Sequence, residues 1–150
     1  MFYLNLYRCA KLLLQYNLFN SFSYMDVIMI VEDDISMREM LTEALTRRKY
    51  KVIVAENGRE ALLKFKSSLT SLVITDILMP DEDGLKVIMK LKEMNPDLKI
   101  IAISGGGKAG PGNYLSLAKA LGANEIFTKP FPLKALIDKT EELLRSEQSG

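Results

Sequence analysis

Four apolar runs in this chain each end in a residue with ligating or reactive chemistry. VIMIV leads into Glu32-Asp33-Asp34, LVIT into Asp76, IIAI into Ser104 and EIFT into Lys129. A carboxylate at the end of a buried strand costs free energy unless something pairs with it. Several carboxylates close together repel one another unless a cation sits among them. Hard oxygen ligands with room left for water suit Mg²⁺, which takes one or two carboxylates together with a phosphate oxygen. With Mg²⁺ and a lysine compensating charge, a carboxylate can attack phosphorus and form an acyl phosphate. On this reading Asp76 is the nucleophile, and Glu32 and Asp33 are the metal-side acids. Lys129 is the counter-charge to the phosphoryl group, and Ser104 donates a hydrogen bond to one of its oxygens.

Taken singly, each residue has a plainer role. Asp is a favoured helix N-cap, so at least one of Glu32, Asp33 and Asp34 is expected to cap the helix that follows. Asp76 alone is a turn former ahead of Pro80, Ser104 a strand-end hydroxyl and Lys129 a solvated charge. The joint reading rests on four separate run ends carrying complementary chemistry.

The elements that must position these groups follow from the hydrophobic pattern. The runs 27–31, 52–55, 72–75, 100–103 and 125–128 are mostly apolar on successive residues, as strands buried on both faces of a parallel sheet are. Between them lie helical stripes: Met37, Met40, Leu41, Ala44 and Leu45; Ala61, Leu62 and Phe65; Leu85, Ile88 and Leu91; Leu115, Ala118 and Leu121. A last stripe carries Leu133, Leu136, Ile137, Thr140 and Leu143. Turn signals at Asn57-Gly58, Asp83-Gly84, Asn95-Pro96 and Gly122-Ala123 punctuate the alternation. Five strand–helix units with short connections predict a doubly wound α/β sheet with right-handed crossovers. Ligands of such sheets bind beyond the carboxyl ends of the strands, where all four chemical endings fall.

Composition narrows the function classes. At 150 residues and 48% hydrophobic content, one domain with a proper core is expected. A net charge of +1 advertises neither nucleic acid nor membrane. The absence of histidine removes the commonest general base and any histidine phosphocarrier role. The single Cys9 excludes an internal disulfide and suits a reducing cytoplasm. Residues 1–24 hold no acidic residue and only Arg8 and Lys11 as basic ones. Interrupted by these and by scattered Asn and Gln, they lack the ~20 apolar residues of a membrane span, and no clear cleavage site marks a signal peptide. The segment is read as a disordered extension or an upstream start, with an amphipathic docking helix as the alternative. The domain is expected over 25–146, with 147–150 a short tail.

With IVEDD, VITDILMPDEDG, IIAISG and TKPF in this order, the chain resembles the receiver domain of two-component response regulators, over essentially all of Met25 to Leu144. The resemblance implies a flavodoxin-like sheet of five strands in the order 2-1-3-4-5, with five helices. It implies that Asp76 is phosphorylated by a sensor histidine kinase or a histidine phosphotransfer protein. Mg²⁺ would be held by Glu32, Asp33, Asp76 and the backbone carbonyl of Leu78, while Ser104 and Lys129 contact the phosphoryl group. It also implies a cis Lys129–Pro130 bond.

The chain departs from the family at Ile126, where receivers commonly carry Tyr or Phe, and Phe127 is expected on the opposite face of its strand. GGGKAGPG (105–112) formally contains G-x-G-x-x-G at Gly105, Gly107 and Gly110, but it follows the fourth strand rather than the first. It is read instead as a loop beside the phosphorylation site, whose glycines allow close backbone approach. The expected function is a stand-alone receiver: cytoplasmic, without a DNA-binding domain or membrane span, not an enzyme in the ordinary sense, and docking on a downstream target protein when phosphorylated. The alternatives are a phosphorelay intermediate that passes phosphate to a histidine phosphotransfer protein, and a flavodoxin-like nucleotide-binding enzyme.

Overall fold

In the computed structural model, which describes residues 25–79, 82–105 and 111–145, the apolar runs form the strands of one parallel sheet. In chain order the elements are β1 (Val27–Val31), α1 (Ile35–Arg47), β2 (Lys51–Ala55), α2 (Gly58–Lys66) and β3 (Thr70–Asp76). A short antiparallel pair follows, β4 (Leu78–Met79) and β5 (Glu82–Asp83), and then α3 (Gly84–Met94). The chain continues through β6 (Lys99–Ser104), α4 (Pro111–Ala120), β7 (Glu125–Thr128) and α5 (Leu133–Arg145). The main sheet runs β2-β1-β3-β6-β7. Counting its five strands in chain order, this is the expected 2-1-3-4-5. Residues 1–24, Pro80 and Asp81, 106–110 and 146–150 lie outside the described residues, and with them the expectations for the N-terminal segment, the tail and most of the glycine loop.

The continuous apolar character of the strands is explained by helices on both faces. Met29, Val31, Val73, Ile100 and Ala102 pack under α2, α3 and α4 with Ala61, Ile88, Leu91 and Ala118. Ile28, Ile30, Ile74, Ile101 and Ile103 alternate with them and meet Leu41, Leu45, Leu136 and Ile137 of α1 and α5. All of β1 from Ile28 to Val31 is fully buried, as befits the strand next to the point where the order reverses.

Caps fix where the helices begin and end. The Asp34 carboxylate accepts from the Met37 amide at 2.7 Å, so Asp34 is the N-cap of α1. Asn57 caps α2 by accepting from Glu60 N–H at 2.8 Å, while the Glu60 carboxylate accepts from the Glu56 amide. Gly122, with φ of +107°, closes α4 as a left-handed residue at the helix end. Met40, placed on the apolar stripe of α1 by its spacing, is 38% exposed: that helix buries a narrower face than the pattern suggests.

Parallel register aligns the chemical ends of the strands. Val31 pairs with Ala55 on one side and Thr75 on the other, Asp76 with Ile103, and Ser104 with Thr128. Glu32, Asp76, Ser104 and Lys129 therefore stand at one rim of the sheet.

Candidate functional site: an acidic rim closed by a lysine

Glu32 follows the last residue of β1, and its amide continues the ladder by donating to Ala55 O at 3.1 Å. Its side chain is buried, with Oε1 accepting from the Asp34 amide at 3.1 Å and Oε2 from Lys129 Nζ at 2.9 Å. Asp76, only 5% exposed, divides its oxygens in the same way. Oδ1 accepts from the Leu78 amide at 2.9 Å and Oδ2 from Lys129 Nζ at 2.7 Å. Lys129 thus bridges the two buried carboxylates, a charge-assisted pairing that offsets the cost of burying them.

The electrostatics reflect this balance. Burial pushes the Glu32 carboxyl above its ordinary value; the hydrogen bond from Lys129 opposes the rise and the Asp76 charge adds to it. Burial pulls the Lys129 ammonium down, but its hydrogen bonds to Asp76 and Glu32, with their charges, outweigh this and hold it above the usual lysine range.

Asp33 is exposed, yet one oxygen from each of Glu32, Asp33 and Asp76 lies within 4.8 Å of the others. An all-oxygen donor set with one solvent-facing member fits a hard divalent cation that keeps some of its water. Leu78 sits two residues past Asp76 in β4, beside the acid to which its amide donates. Ser104 is fully buried at the end of β6, and its carbonyl accepts from the Lys129 amide at 2.9 Å. The Lys129–Pro130 peptide is cis.

Two further residues, Gly84 and Arg38, shape this rim. A Cβ on Gly84 would lie 2.5 Å from Ile77 Cα and 2.6 Å from Asp76 O, so only glycine lets the start of α3 pack against the backbone that carries Asp76. Asp83-Gly84 signals a turn in the sequence, but the close approach becomes visible only once α3 is placed. Arg38, one turn into α1, turns back toward the β1–α1 connection, and its side chain is 12% exposed. A basic residue four positions after a capping aspartate was the available signal. Gly105, by contrast, is not forced by space: an added Cβ would meet Lys129 Cδ at an ordinary 3.7 Å.

On the far side of β7, Ile126 packs into the core beneath α4, in the cluster that also takes Tyr114 and Leu115. Phe127 faces α5 and stacks obliquely on Phe131, their ring centres 5.6 Å apart. The two side chains do point to opposite faces of the strand.

The family profile described as "Response regulator receiver domain" matches residues 28–141. The chain belongs to the response regulator receiver family. The receiver is 32% identical to the response regulator receiver protein CpdR of Brucella abortus, over 78% of this chain and 95% of that protein. It is 36% identical to the DNA-binding transcriptional regulator NtrC of Azospirillum brasilense, over 79% of this chain but only 24% of NtrC. Among solved structures it resembles the response regulator TrrA of Thermotoga maritima, crystallised in complex with Mg(2+)-BeF. The TM-score is 0.70 and the identity 36%, covering 79% of this chain and 99% of that one. Among the described residues of this receiver, no helix is long and apolar enough to cross a membrane.

Proposed function

We propose that the receiver is a phosphorylation-controlled binding module in which Asp76 accepts a phosphoryl group from a sensor histidine kinase or a histidine phosphotransfer protein. The observation that carries this is the position of Asp76: a nearly buried carboxylate at a strand end, held by the Leu78 amide and Lys129 and within reach of two further acids. A lone pair of the Asp76 carboxylate attacks phosphorus and forms a P–O bond. The bond from phosphorus to the donor breaks, and the donor keeps its electron pair. Fixing the carboxylate on two donors holds it in one orientation for that attack.

Glu32, Asp33, Asp76 and the Leu78 carbonyl are the groups that would hold Mg²⁺, which when bound neutralises the negative charge of the incoming phosphoryl oxygens. Lys129 is poised to exchange its carboxylate partners for a phosphoryl oxygen, and Ser104 to donate to another. The modified rim then changes what the α4, β7 and α5 surface binds, so that a downstream protein in the cytoplasm reads the signal. The receiver is consumed and regenerated as a phosphoacceptor, rather than turning over an external substrate.

The proposal is tested by incubation with acetyl phosphate, with Mg²⁺ or with a chelator, followed by intact-mass measurement. The expected result is one phosphoryl group on the wild type with Mg²⁺, and none with the chelator or in Asp76→Asn. Labelling of Asp76→Asn at the wild-type level would overturn it.

A further inference from the structure

The two metal-side acids sit where the chain leaves β1 and has not yet entered α1. The first carbonyl taken up by the helix is that of Asp34, which accepts from the Arg38 amide at 3.0 Å. The carbonyls of Glu32 and Asp33 precede it and need another donor. Arg38 supplies one: Nη1 donates to Glu32 O at 2.7 Å and reaches Asp33 O at 3.4 Å. Nη2 donates to Glu56 Oε1 at 3.1 Å, and the Glu56 amide is tied in turn to Glu60. The guanidinium therefore links the β1–α1 turn to the corner where β2 enters α2.

From this geometry we infer that Arg38 is a positioning residue for the metal-side acids, an inference that rests on the Mg²⁺ reading of the rim. The Glu32 carbonyl belongs to the peptide plane that joins Glu32 to Asp33, so holding that oxygen sets the direction in which Asp33 leaves the backbone. Glu32 has side-chain partners of its own in Asp34 N–H and Lys129. The Asp33 side chain has no hydrogen-bond partner among the described residues, so its aim depends on the backbone that Arg38 fixes. A planar guanidinium can span two carbonyls and a carboxylate at once, whereas a lysine ammonium keeps the charge without the fork. As a bare positive charge Arg38 would only repel Mg²⁺; its benefit lies in orientation. Groups that orient metal ligands typically govern affinity by about 10- to 100-fold.

The test is Mg²⁺ titration by calorimetry on the wild type, Arg38→Ala, Arg38→Lys and Glu56→Gln, with urea unfolding of each in the absence of Mg²⁺. The expected result is a Kd about 10-fold weaker or more in both Arg38 variants and a smaller loss in Glu56→Gln. Added Mg²⁺ should restore acetyl phosphate labelling of the Arg38 variants at saturation. If Arg38→Ala does not fold, Arg38→Lys carries the comparison, because it keeps the charge and most of the packing. Wild-type affinity in the Arg38 variants, or tighter binding from loss of the positive charge, would overturn the inference while leaving the metal site intact. A wild type that bound no Mg²⁺ would overturn the metal reading and this inference with it. A lowered urea midpoint with unchanged Kd would show Arg38 to be structural only.

Discussion

Lys129 Nζ lies 2.7 Å from Asp76 Oδ2, so the cation expected to meet a phosphoryl oxygen already holds the acceptor itself. The same ammonium reaches Glu32. The receiver thus carries an internal counter-ion in the place where a metal and a phosphoryl group would share the charge. Any gain in binding either must exceed what this pairing already contributes.

Removing that counter-ion leaves two carboxylates facing each other at the buried rim. Lys129→Met is expected to lose about 3 kcal/mol of stability at neutral pH, the order seen when one member of a buried pair is deleted. The sign with pH follows from proton uptake. With Lys129 gone, Glu32 loses the hydrogen bond that opposes its rise and should titrate further above its unfolded value, so the folded state binds more protons and stability falls as pH rises through the carboxylate range. The wild type should show a weaker slope of the same sign there, because Glu32 is already held above its ordinary value. The stabilisation from the raised Lys129 ammonium is complete below the ordinary lysine range and is lost as pH climbs through its raised value. Urea midpoints across pH would decide it; parallel curves for the two proteins would contradict the pairing.

Gly84→Ala should cost about 1–3 kcal/mol and slow labelling of Asp76, because its Cβ would collide with the Ile77 and Asp76 backbone. Backbone atoms cannot yield as a flexible side chain can. The comparison is urea unfolding and the initial rate of acetyl phosphate labelling against wild type, and an unchanged rate and midpoint would show that the α3 start shifts freely.

Asp33 and Asp34 are adjacent but should separate cleanly. Asp34→Ala removes the cap on Met37 N–H and should cost about 1 kcal/mol of stability while leaving most Mg²⁺ affinity. Asp33→Ala should weaken Mg²⁺ binding with little loss of stability, because that side chain is exposed. Equal effects of the two substitutions on metal affinity would count against this division.

The sheet was legible because parallel strands buried on both faces read as unbroken apolar runs, and Asp76, Ser104 and Lys129 mark their ends. A helix cap among Glu32, Asp33 and Asp34 followed from residue type, but which of the three it is, Asp34, is decided by the hydrogen bond from Met37 N–H. Other features depend on the tertiary arrangement. Two-residue strands such as Leu78–Met79 carry no period to detect. Met40 fits the helical stripe yet is exposed, because the width of a buried face is set by the partner surface. The bridging of Glu32 and Asp76 by one ammonium joins residues 97 and 53 positions from Lys129. Arg38 looked like any surface arginine until the turn it holds was in place.

The central claim is that Asp76 forms the acyl phosphate. The most direct measurement is to treat the protein with acetyl phosphate and Mg²⁺, reduce it with borohydride, digest it and sequence the peptides by tandem mass spectrometry. Reduction converts a phosphorylated aspartate to homoserine and leaves free carboxylates untouched. Homoserine at position 76 alone is the predicted result. Homoserine at Asp33 or Asp34 with an unmodified Asp76, or no conversion anywhere, would contradict the account.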